Sequence, residues 1–255
     1  MVERWLQFTN LSLLEQARAR VTRTLMDGIQ LNMSTEEALK ILRRHVNTKI
    51  NLVTMFVDIN DSTQMSLSLP QNKFALVLQT FAQEIGIAVL GYGGHIFKYE
   101  GDAIIILFLA DFDEIKACKN ALHCSTAILR ILREVINPIF RTNGIPEITV
   151  RIGMAYGYVL VVLYGKSLEN AHVDIIGSSI SLAAKITSIA KANQILIGEY
   201  IYNILLSSTN DEDIVNKSKF TEVILDVANW KYLSHFDSYS MYHVYEYLPT
   251  DLLVQ

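Results

Sequence analysis

Two aspartates beside segments of strand character are the first candidates for chemistry in this sequence. Asp58 directly follows residues 52–57, five of which are apolar, and Asp102 lies in a polar turn at residues 100–102. A short apolar run bounded by turn residues predicts a strand that is buried on both faces. A carboxylate held at the end of such a strand can bind a hard cation such as Mg²⁺, which prefers oxygen ligands. Taken alone, each aspartate is explained equally well as a turn residue.

The surrounding elements predict how these aspartates are positioned. In chain order they are a strand at 52–58, a helix from Pro70, a hairpin at 96–110, a helix at 111–136 that Pro138 ends, a hairpin at 148–164 that turns at Gly157, a helix at 178–190, a strand at 195–197 and a final strand at 239–247. This order predicts an α+β sandwich built on a ferredoxin-like βαββαβ unit, with its helices on one face of the sheet.

In such a sheet the first hairpin pairs with the first strand, so Asp58 and Asp102 are expected to meet at one edge. Two carboxylates at that edge repel each other unless a cation neutralises them. Because two carboxylates leave several coordination positions to water and phosphate oxygens, the pair suits Mg²⁺. It could also hold two metal ions, as two-metal sites for phosphate chemistry do.

Residues 1–46 are predicted to form a helical N-terminal extension, and residues 47–250 the main domain. The sequence 34–37, Ser-Thr-Glu-Glu, can cap a helix that continues through Leu42. The extension carries no catalytic group pattern. It is either a dimerising or regulatory segment or a packed addition to the domain, and the packed addition is the simpler interpretation.

Composition excludes several classes of protein. A net charge of −4 over 255 residues argues against a nucleic-acid-binding protein, which usually has a basic face. No apolar run is long enough to cross a bilayer, and the N-terminus lacks the apolar segment of a signal peptide. The two cysteines, Cys118 and Cys124, are too few and too poorly spaced for a disulfide scaffold or a zinc site. We therefore expect a cytoplasmic protein without a membrane span.

Four segments in this order resemble the catalytic domain of class III nucleotide cyclases. They are residues 56–63, 98–102, 151–157 and 174–177, and the resemblance extends over about residues 49–248, including the aromatic final strand. Each segment alone is weakly specific, whereas four in order at suitable spacing are strongly specific.

The resemblance implies a metal site and a polyphosphate site. Asp58 and Asp102 match the two metal-binding aspartates, and the backbone carbonyl of Ile59 would join them in holding two Mg²⁺ or Mn²⁺ ions. Arg151 matches an arginine that neutralises the polyphosphate, for which a permanently charged guanidinium that binds two oxygens is well suited.

The resemblance also implies a base-recognition pair. Lys98 and Asp174 match the two residues that select the purine. A lysine donor and an aspartate acceptor fit adenine, whose ring nitrogen accepts and whose amine donates a hydrogen bond. ATP is therefore favoured over GTP as the substrate.

Each of these residues has a structural explanation when it is considered singly. Lys98 could be a solvated strand lysine, and Arg151 could form an exposed ion pair with Glu147, which would contribute little. Asp174 could cap the N-terminus of the helix at 178–190, where the helix dipole favours an acid.

Two positions depart from the family pattern. The family has an asparagine and an arginine, one helical turn apart, that hold the ribose and stabilise charge on the α-phosphate, and this sequence has Ser181 and Lys185 there. The i,i+4 spacing keeps both side chains on one helix face. Serine is shorter and lacks the amide, and lysine keeps the charge but loses the planar fork of arginine. Because such electrostatic groups can be worth orders of magnitude in rate, turnover could be reduced substantially, or the reach of Lys185 could compensate for the change.

The sequence thus predicts an adenylyl cyclase that converts ATP to cyclic AMP and pyrophosphate by metal-assisted in-line attack of the 3′-hydroxyl on the α-phosphate. The resemblance implies a homodimer with composite sites. Asp58 and Asp102 would come from one subunit, and the other subunit would supply Lys98, Asp174, Ser181 and Lys185. The alternative is a weak or inactive cyclase-fold module that binds nucleotide and regulates. A third alternative, another phosphotransferase, would leave Asp174 without a role.

Overall fold

The computed structural model describes residues 2–29, 34–167, 170–207, 217–225, 230–234, 236 and 240–249. Its helices are α1 (Val2–Asp27), α2 (Glu36–Arg43), α3 (Ser62–Ser68), α4 (Gln71–Gly91), α5 (Glu114–Ile131), α6 (Asn137–Thr142), α7 (Ser178–Ile189) and α8 (Glu199–Ser207). Its strands are β1 (Lys49–Ile59), β2 (His95–Glu100), β3 (Ala103–Leu109), β4 (Val150–Tyr164), β5 (His172–Ile176), β6 (Gln194–Gly198), β7 (Phe220–Glu222) and β8 (Val244–Tyr247).

The strands form one mixed sheet with β1 and β4 at its centre. The strand order is β2-β3-β1-β4-β6-β8-β7, and β5 pairs with the far end of β4. β1 is antiparallel to both β3 and β4, and β4 is parallel to β6. The predicted α+β fold with a helical N-terminal segment is confirmed. β1 lies centrally because its apolar residues can be covered on both faces.

The prediction that the helices pack on one face is wrong. Val53, Met55 and Val57 of β1 lie in a core with α1, α4, α5 and α8. The alternate residues Ile50 and Leu52 lie in a second core with α2, and α7 packs on the same side. A strand with apolar residues on both faces requires a helical layer on each side, because side chains alternate along a strand.

The predicted hairpin around Gly157 is also wrong. β4 runs unbroken through Gly157, and its last five residues pair antiparallel with β5, which begins this pairing with Leu160 opposite Ile176. A Cβ at position 157 would lie 3.1 Å from the Cβ of Ser179. This glycine therefore leaves room for α7, and glycine inside a strand often marks such a close approach.

Two other boundaries differ from the sequence predictions. Pro138 does not end the long helix: a π-helical turn, Leu132–Ile136, connects α5 to α6, and Pro138 lies in the first turn of α6. The helix therefore continues past this proline, and the π-helical turn, in which the N–H of Asn137 donates to the carbonyl of Leu132, lies directly before the residue that has no N–H to donate. The final strand begins only at Val244, and residues 237–239 lie outside the described part of the chain.

The N-terminal helix α1 is packed against the domain through a buried polar network. Arg20 donates to both carboxylate oxygens of Glu84 on α4 at 2.7–3.2 Å, and the Glu84 side chain is fully buried. Gln83 Nε2 donates to Thr24 Oγ1 at 3.1 Å. A buried carboxylate is costly without such partners, so this network fixes how α1 docks. The contacts agree with the interpretation of a packed addition, and the boundary near residue 47 stays a prediction.

Among the described helices, α4 is long and apolar enough to cross a membrane. Half of its most apolar window is buried inside the domain, where Val77, Phe81 and Ile85 belong to the core. These contacts explain its apolar character by packing against the sheet.

Candidate active site

Asp58 and Asp102 lie at the same edge of the sheet. Asp58 of β1 is paired with Ala103 of β3, and Asp102 precedes Ala103 in a tight turn in which Gly101 has a φ of 63°. Partial burial, and secondly the negative charge of Asp102, raise the pKa of Asp58 above its ordinary value. The two carboxyl groups are therefore close enough to repel each other, as the hairpin argument predicted.

Arg151 partly offsets this repulsion. Asp58 is paired across the sheet with Arg151 of β4, and Arg151 Nη2 donates to Asp58 Oδ2. The Nε atom of Arg151 is buried and makes no hydrogen bond. The proposed ion pair of Arg151 with Glu147 is not formed, since Glu147 pairs with Arg141. Arg151 thus lies at the edge of the sheet that carries Asp58 and Asp102.

These residues fit a divalent cation. Two carboxylates and one guanidinium leave an excess negative charge, and oxygen donors suit Mg²⁺ or Mn²⁺. Ile59 ends β1, and its side chain is buried on the opposite face of the sheet from Asp58, so only its backbone could serve as a ligand. Within the described residues, no group of three or more His, Cys, Asp and Glu side chains could hold a metal. The candidate metal site therefore depends on Asp58 and Asp102.

The second cluster joins Lys98 of β2 to Asp174 of β5. Lys98 Nζ donates to Asp174 Oδ2 at 2.7 Å, and the backbone N–H of Ile175 donates to Asp174 Oδ1 at 2.8 Å. Partial burial acts to raise the pKa of Asp174, but these hydrogen bonds outweigh it and lower the pKa below its ordinary value. Neither single-residue explanation applies, because Lys98 is paired and the N-cap of α7 is Gly177.

A β-bulge in β2 accompanies the position of Lys98. The pairing register with β3 shifts between Ile96 and Lys98, so the intervening Phe97 adds one residue to the strand. Phe97 is buried in the second core, and Lys98 Nζ lies 4.8 Å from the centre of its ring. Bulges redirect side chains and are frequent beside functional sites.

Ser181 and Lys185 lie on the exposed face of α7. Ser181 Oγ donates to the carbonyl of Gly177 at 3.3 Å. The helix approaches β4 closely at Gly153. A Cβ at this position would lie 2.3 Å from Thr187 Oγ1 and 2.4 Å from the backbone nitrogen of Thr187, so only glycine fits there. Gly153 thus positions the helix that carries both departures from the family pattern. This role of Gly153 was not predicted from the sequence, although a glycine within an apolar strand can indicate such a close approach.

His172 is a further residue that the sequence analysis missed. Its Nε2 atom lies 3.5 Å from Asp174 Oδ2. The two residues are two positions apart on β5, so the alternation of a strand places them on the same face. The spacing of His172 and Asp174 was visible in the sequence. It indicates a site only together with Lys98, which lies on another strand.

Comparisons with known proteins agree with this geometry. The sequence model of the adenylate and guanylate cyclase catalytic domain matches residues 45–225. A cytidylate cyclase of Staphylococcus aureus is 25% identical over 226 residues, which are 80% of this chain and 53% of that protein. Adenylate cyclase type 10 of Oryctolagus cuniculus is 28% identical over 156 residues, which are 57% of this chain and 9% of that protein. This chain thus spans about half the length of the S. aureus relative.

Solved structures show the same fold. The adenylyl cyclase CyaB from P. aeruginosa superposes with a TM-score of 0.64 at 22% identity, covering 80% of this chain and 96% of that one. The guanylyl cyclase Cya2 gives a TM-score of 0.64 at 20% identity, with coverages of 80% and 94%. The family model covers most of the chain, and the predicted resemblance is confirmed. This chain belongs to the family of adenylate and guanylate cyclase catalytic domains.

Proposed function

We propose that this protein converts ATP to 3′,5′-cyclic AMP and pyrophosphate. The observation that carries the choice of base is the ion pair between Lys98 and Asp174. Lysine only donates hydrogen bonds, and an ionised aspartate only accepts them. The low pKa of Asp174 keeps it ionised at neutral pH. The pair therefore presents one donor and one acceptor side by side.

This donor and acceptor are complementary to an amino-bearing base. Adenine has an accepting N1 beside a donating N6 amine, which match Lys98 and Asp174. Guanine in the same pose would place its O6 acceptor against the carboxylate and its N1–H donor against the ammonium group. Uracil has the same mismatch, so GTP and UTP are disfavoured.

The remaining residues act on the ribose and the phosphates. Asp58 and Asp102 would hold the metal ions, which, when bound, increase the acidity of the 3′-hydroxyl and offset phosphate charge. Arg151 offers its guanidinium to the polyphosphate. Ser181 can hydrogen-bond a ribose oxygen, and Lys185 supplies positive charge where charge develops on the α-phosphate. Most of the rate acceleration would come from positioning and charge neutralisation.

CTP is a second candidate substrate. Cytosine also has an accepting ring nitrogen beside a donating amine, so it satisfies the same pair. Relatives named cytidylate cyclase align with 80% and 63% of this chain. We therefore expect activity to be confined to amino-bearing bases, and we rank ATP first because Lys98 and Asp174 match the pair that selects a purine in the family.

A homodimer with composite sites is part of this proposal. A symmetric pair is the commonest oligomer, and Tyr158 and Tyr164 of β4 and Ile176 of β5 are large apolar side chains left exposed. If the two sites are shared, specific activity rises with protein concentration until the dimer forms. A cytoplasmic location stays a prediction.

The test compares all four nucleoside triphosphates with Mn²⁺ and the purified chain. Cyclic AMP and pyrophosphate should form in equal amounts, and Asp58→Ala should abolish both products. If ATP binds but none of the four nucleotides yields more cyclic product than with the Asp58→Ala variant, the enzyme proposal is wrong and the non-catalytic nucleotide-binding module replaces it. If cyclic CMP forms instead, CTP is the substrate.

A further inference from the structure

His172, Asp174 and Lys98 form a row on the exposed side of β5 and β2. Asp174 Oδ2 is the shared atom, 2.7 Å from Lys98 Nζ and 3.5 Å from His172 Nε2. Because both neighbours approach the same oxygen, the carboxylate is the middle member of the row. The order of functional groups is therefore imidazole, carboxylate, ammonium.

The imidazole is held in place and is accessible. The His172 ring stacks on Tyr164 of β4, with ring centres 6.1 Å apart and planes inclined by 26°. The His172 side chain is 60% exposed, whereas the side chains of Lys98 and Asp174 are 26% and 24% exposed. Stacking on Tyr164 limits the directions in which the ring nitrogens can point.

His172 Nε2 makes only a long contact with Asp174 Oδ2, which a ligand can replace. A separation of 3.5 Å from Asp174 Oδ2 is longer than the 2.7–3.2 Å range of good N–H···O hydrogen bonds. Neutral histidine has one N–H donor and protonated histidine has two, so a donor exists in either form. His172 can therefore donate to a base that lies against the row.

Adenine presents a matching row of three groups. Along the edge that carries its amine, N7 accepts, N6 donates and N1 accepts. Imidazole, carboxylate and ammonium present donor, acceptor and donor in the same order. Cytosine supplies only the amine and one ring nitrogen, because the position beside its amine is a C–H group.

We propose that His172 is a specificity-determining residue that donates a hydrogen bond to N7 of adenine and so favours ATP over CTP. This inference rests on the proposed function of the Lys98–Asp174 pair. The expected size is that of one hydrogen bond partly open to water, a three- to tenfold change in relative kcat/KM, since a net hydrogen bond contributes about 0.5–1.5 kcal/mol and about 1.4 kcal/mol is tenfold.

The test uses 7-deaza-ATP, in which a C–H group replaces N7 and the amine and N1 remain. The wild-type chain should use ATP about three- to tenfold better than 7-deaza-ATP, by kcat/KM. His172→Phe keeps an aromatic ring on Tyr164 and removes the donor, so the variant should treat the two substrates alike. His172→Gln retains an amide donor and should restore part of the preference. The ATP-to-CTP ratio should fall in parallel in His172→Phe.

Binding measurements separate failure of this inference from failure of the proposed function. 3′-Deoxy-ATP and its 7-deaza analogue lack the attacking hydroxyl, so calorimetry measures base recognition without turnover. Equal affinity of the wild-type chain for both analogues would overturn the role of His172 and leave the Lys98–Asp174 proposal intact. If neither analogue binds, both proposals are overturned. A preference for CTP that His172→Phe does not change would overturn the role of His172 and the choice of ATP, and would leave recognition of an amino-bearing base by Lys98 and Asp174 intact.

Discussion

Arg151 is expected to compete with metal ions for Asp58. Its guanidinium donates to Asp58 Oδ2 on the adjacent strand, and Asp58 is a predicted metal ligand. A cation that binds there must displace this hydrogen bond and must also approach a fixed positive charge. Arg151→Gln removes both obstacles, so metal affinity of the nucleotide-free protein should rise. Nucleotide affinity should fall, because the same guanidinium is expected to neutralise the polyphosphate.

The size of the effect follows from the ion pair. The side chains of Arg151 and Asp58 are 29% and 19% exposed, so the pair is partly screened. A hydrogen bond to a charged group contributes about 1.5–3 kcal/mol, and the lower value applies to a partly solvated pair. About 1.4 kcal/mol corresponds to tenfold, so Mn²⁺ should bind roughly tenfold more tightly to Arg151→Gln.

The assay is calorimetric titration of nucleotide-free protein with Mn²⁺ at about pH 8, where carboxyl groups are ionised. Arg141→Gln is the matched control, because Arg141 also pairs with a carboxylate, Glu147, but is 69% exposed. That variant should bind Mn²⁺ as the wild type does. Unchanged or weaker Mn²⁺ binding in Arg151→Gln, with the fold intact, would refute the competition.

Three further predictions concern α7 and the ion pair between Lys98 and Asp174. Gly153→Ala should lower the free energy of unfolding by about 1–3 kcal/mol, because the added Cβ would lie 2.4 Å from the α7 backbone. Gly91→Ala is the control and should be nearly neutral, because nothing lies within 4 Å of the added Cβ. Equal urea midpoints for the two variants would contradict this prediction. Lys185→Arg and Ser181→Asn should preserve or raise kcat, and a loss in either would remove these residues from the transition-state role. Hydrogen bonding lowers the pKa of Asp174 in the folded protein, so its ionised form stabilises the fold above the ordinary pKa of 3.8, and this contribution is lost as the pH falls through the pKa of the folded state. Asp174→Asn should therefore lower the free energy of unfolding at neutral pH. A loss of stability that persists unchanged in acid would contradict the assignment.

The order of most elements was predictable, but the strand β5 and the layering of the helices were not. The apolar run at 52–57 identified the central strand β1, because only a covered strand has apolar residues on both faces. The same apolar character does not predict on which face each helix packs, because an apolar side chain can be covered by any helix. Gly157 was misinterpreted for a similar reason: a glycine can mark a turn or a close approach, and the neighbour Ser179 was not known.

The candidate site was predictable where it depends on hairpin neighbours. Asp58 and Asp102 meet because β3 follows the turn at Asp102 and pairs with β1. The contact between Lys98 and Asp174 joins residues 76 positions apart, and only the family resemblance paired them. The contact of Arg151 with Asp58 depends on the register of β4 against β1, which the sequence pattern does not specify. The roles of all these residues stay predictions.

Both clusters have the same electrostatic design in the free protein. Arg151 is paired with Asp58 and Lys98 is paired with Asp174, so each cation that should contact the nucleotide already neutralises a carboxylate. Binding is then an exchange of partners, which is inexpensive because both pairs are partly exposed. A polyphosphate that attracts Arg151 would release Asp58 for the metal. Nucleotide and metal should therefore increase each other's affinity by the same factor, as reciprocal linkage requires. This coupling should weaken in Arg151→Gln, where only direct ligation of the metal by phosphate oxygens remains.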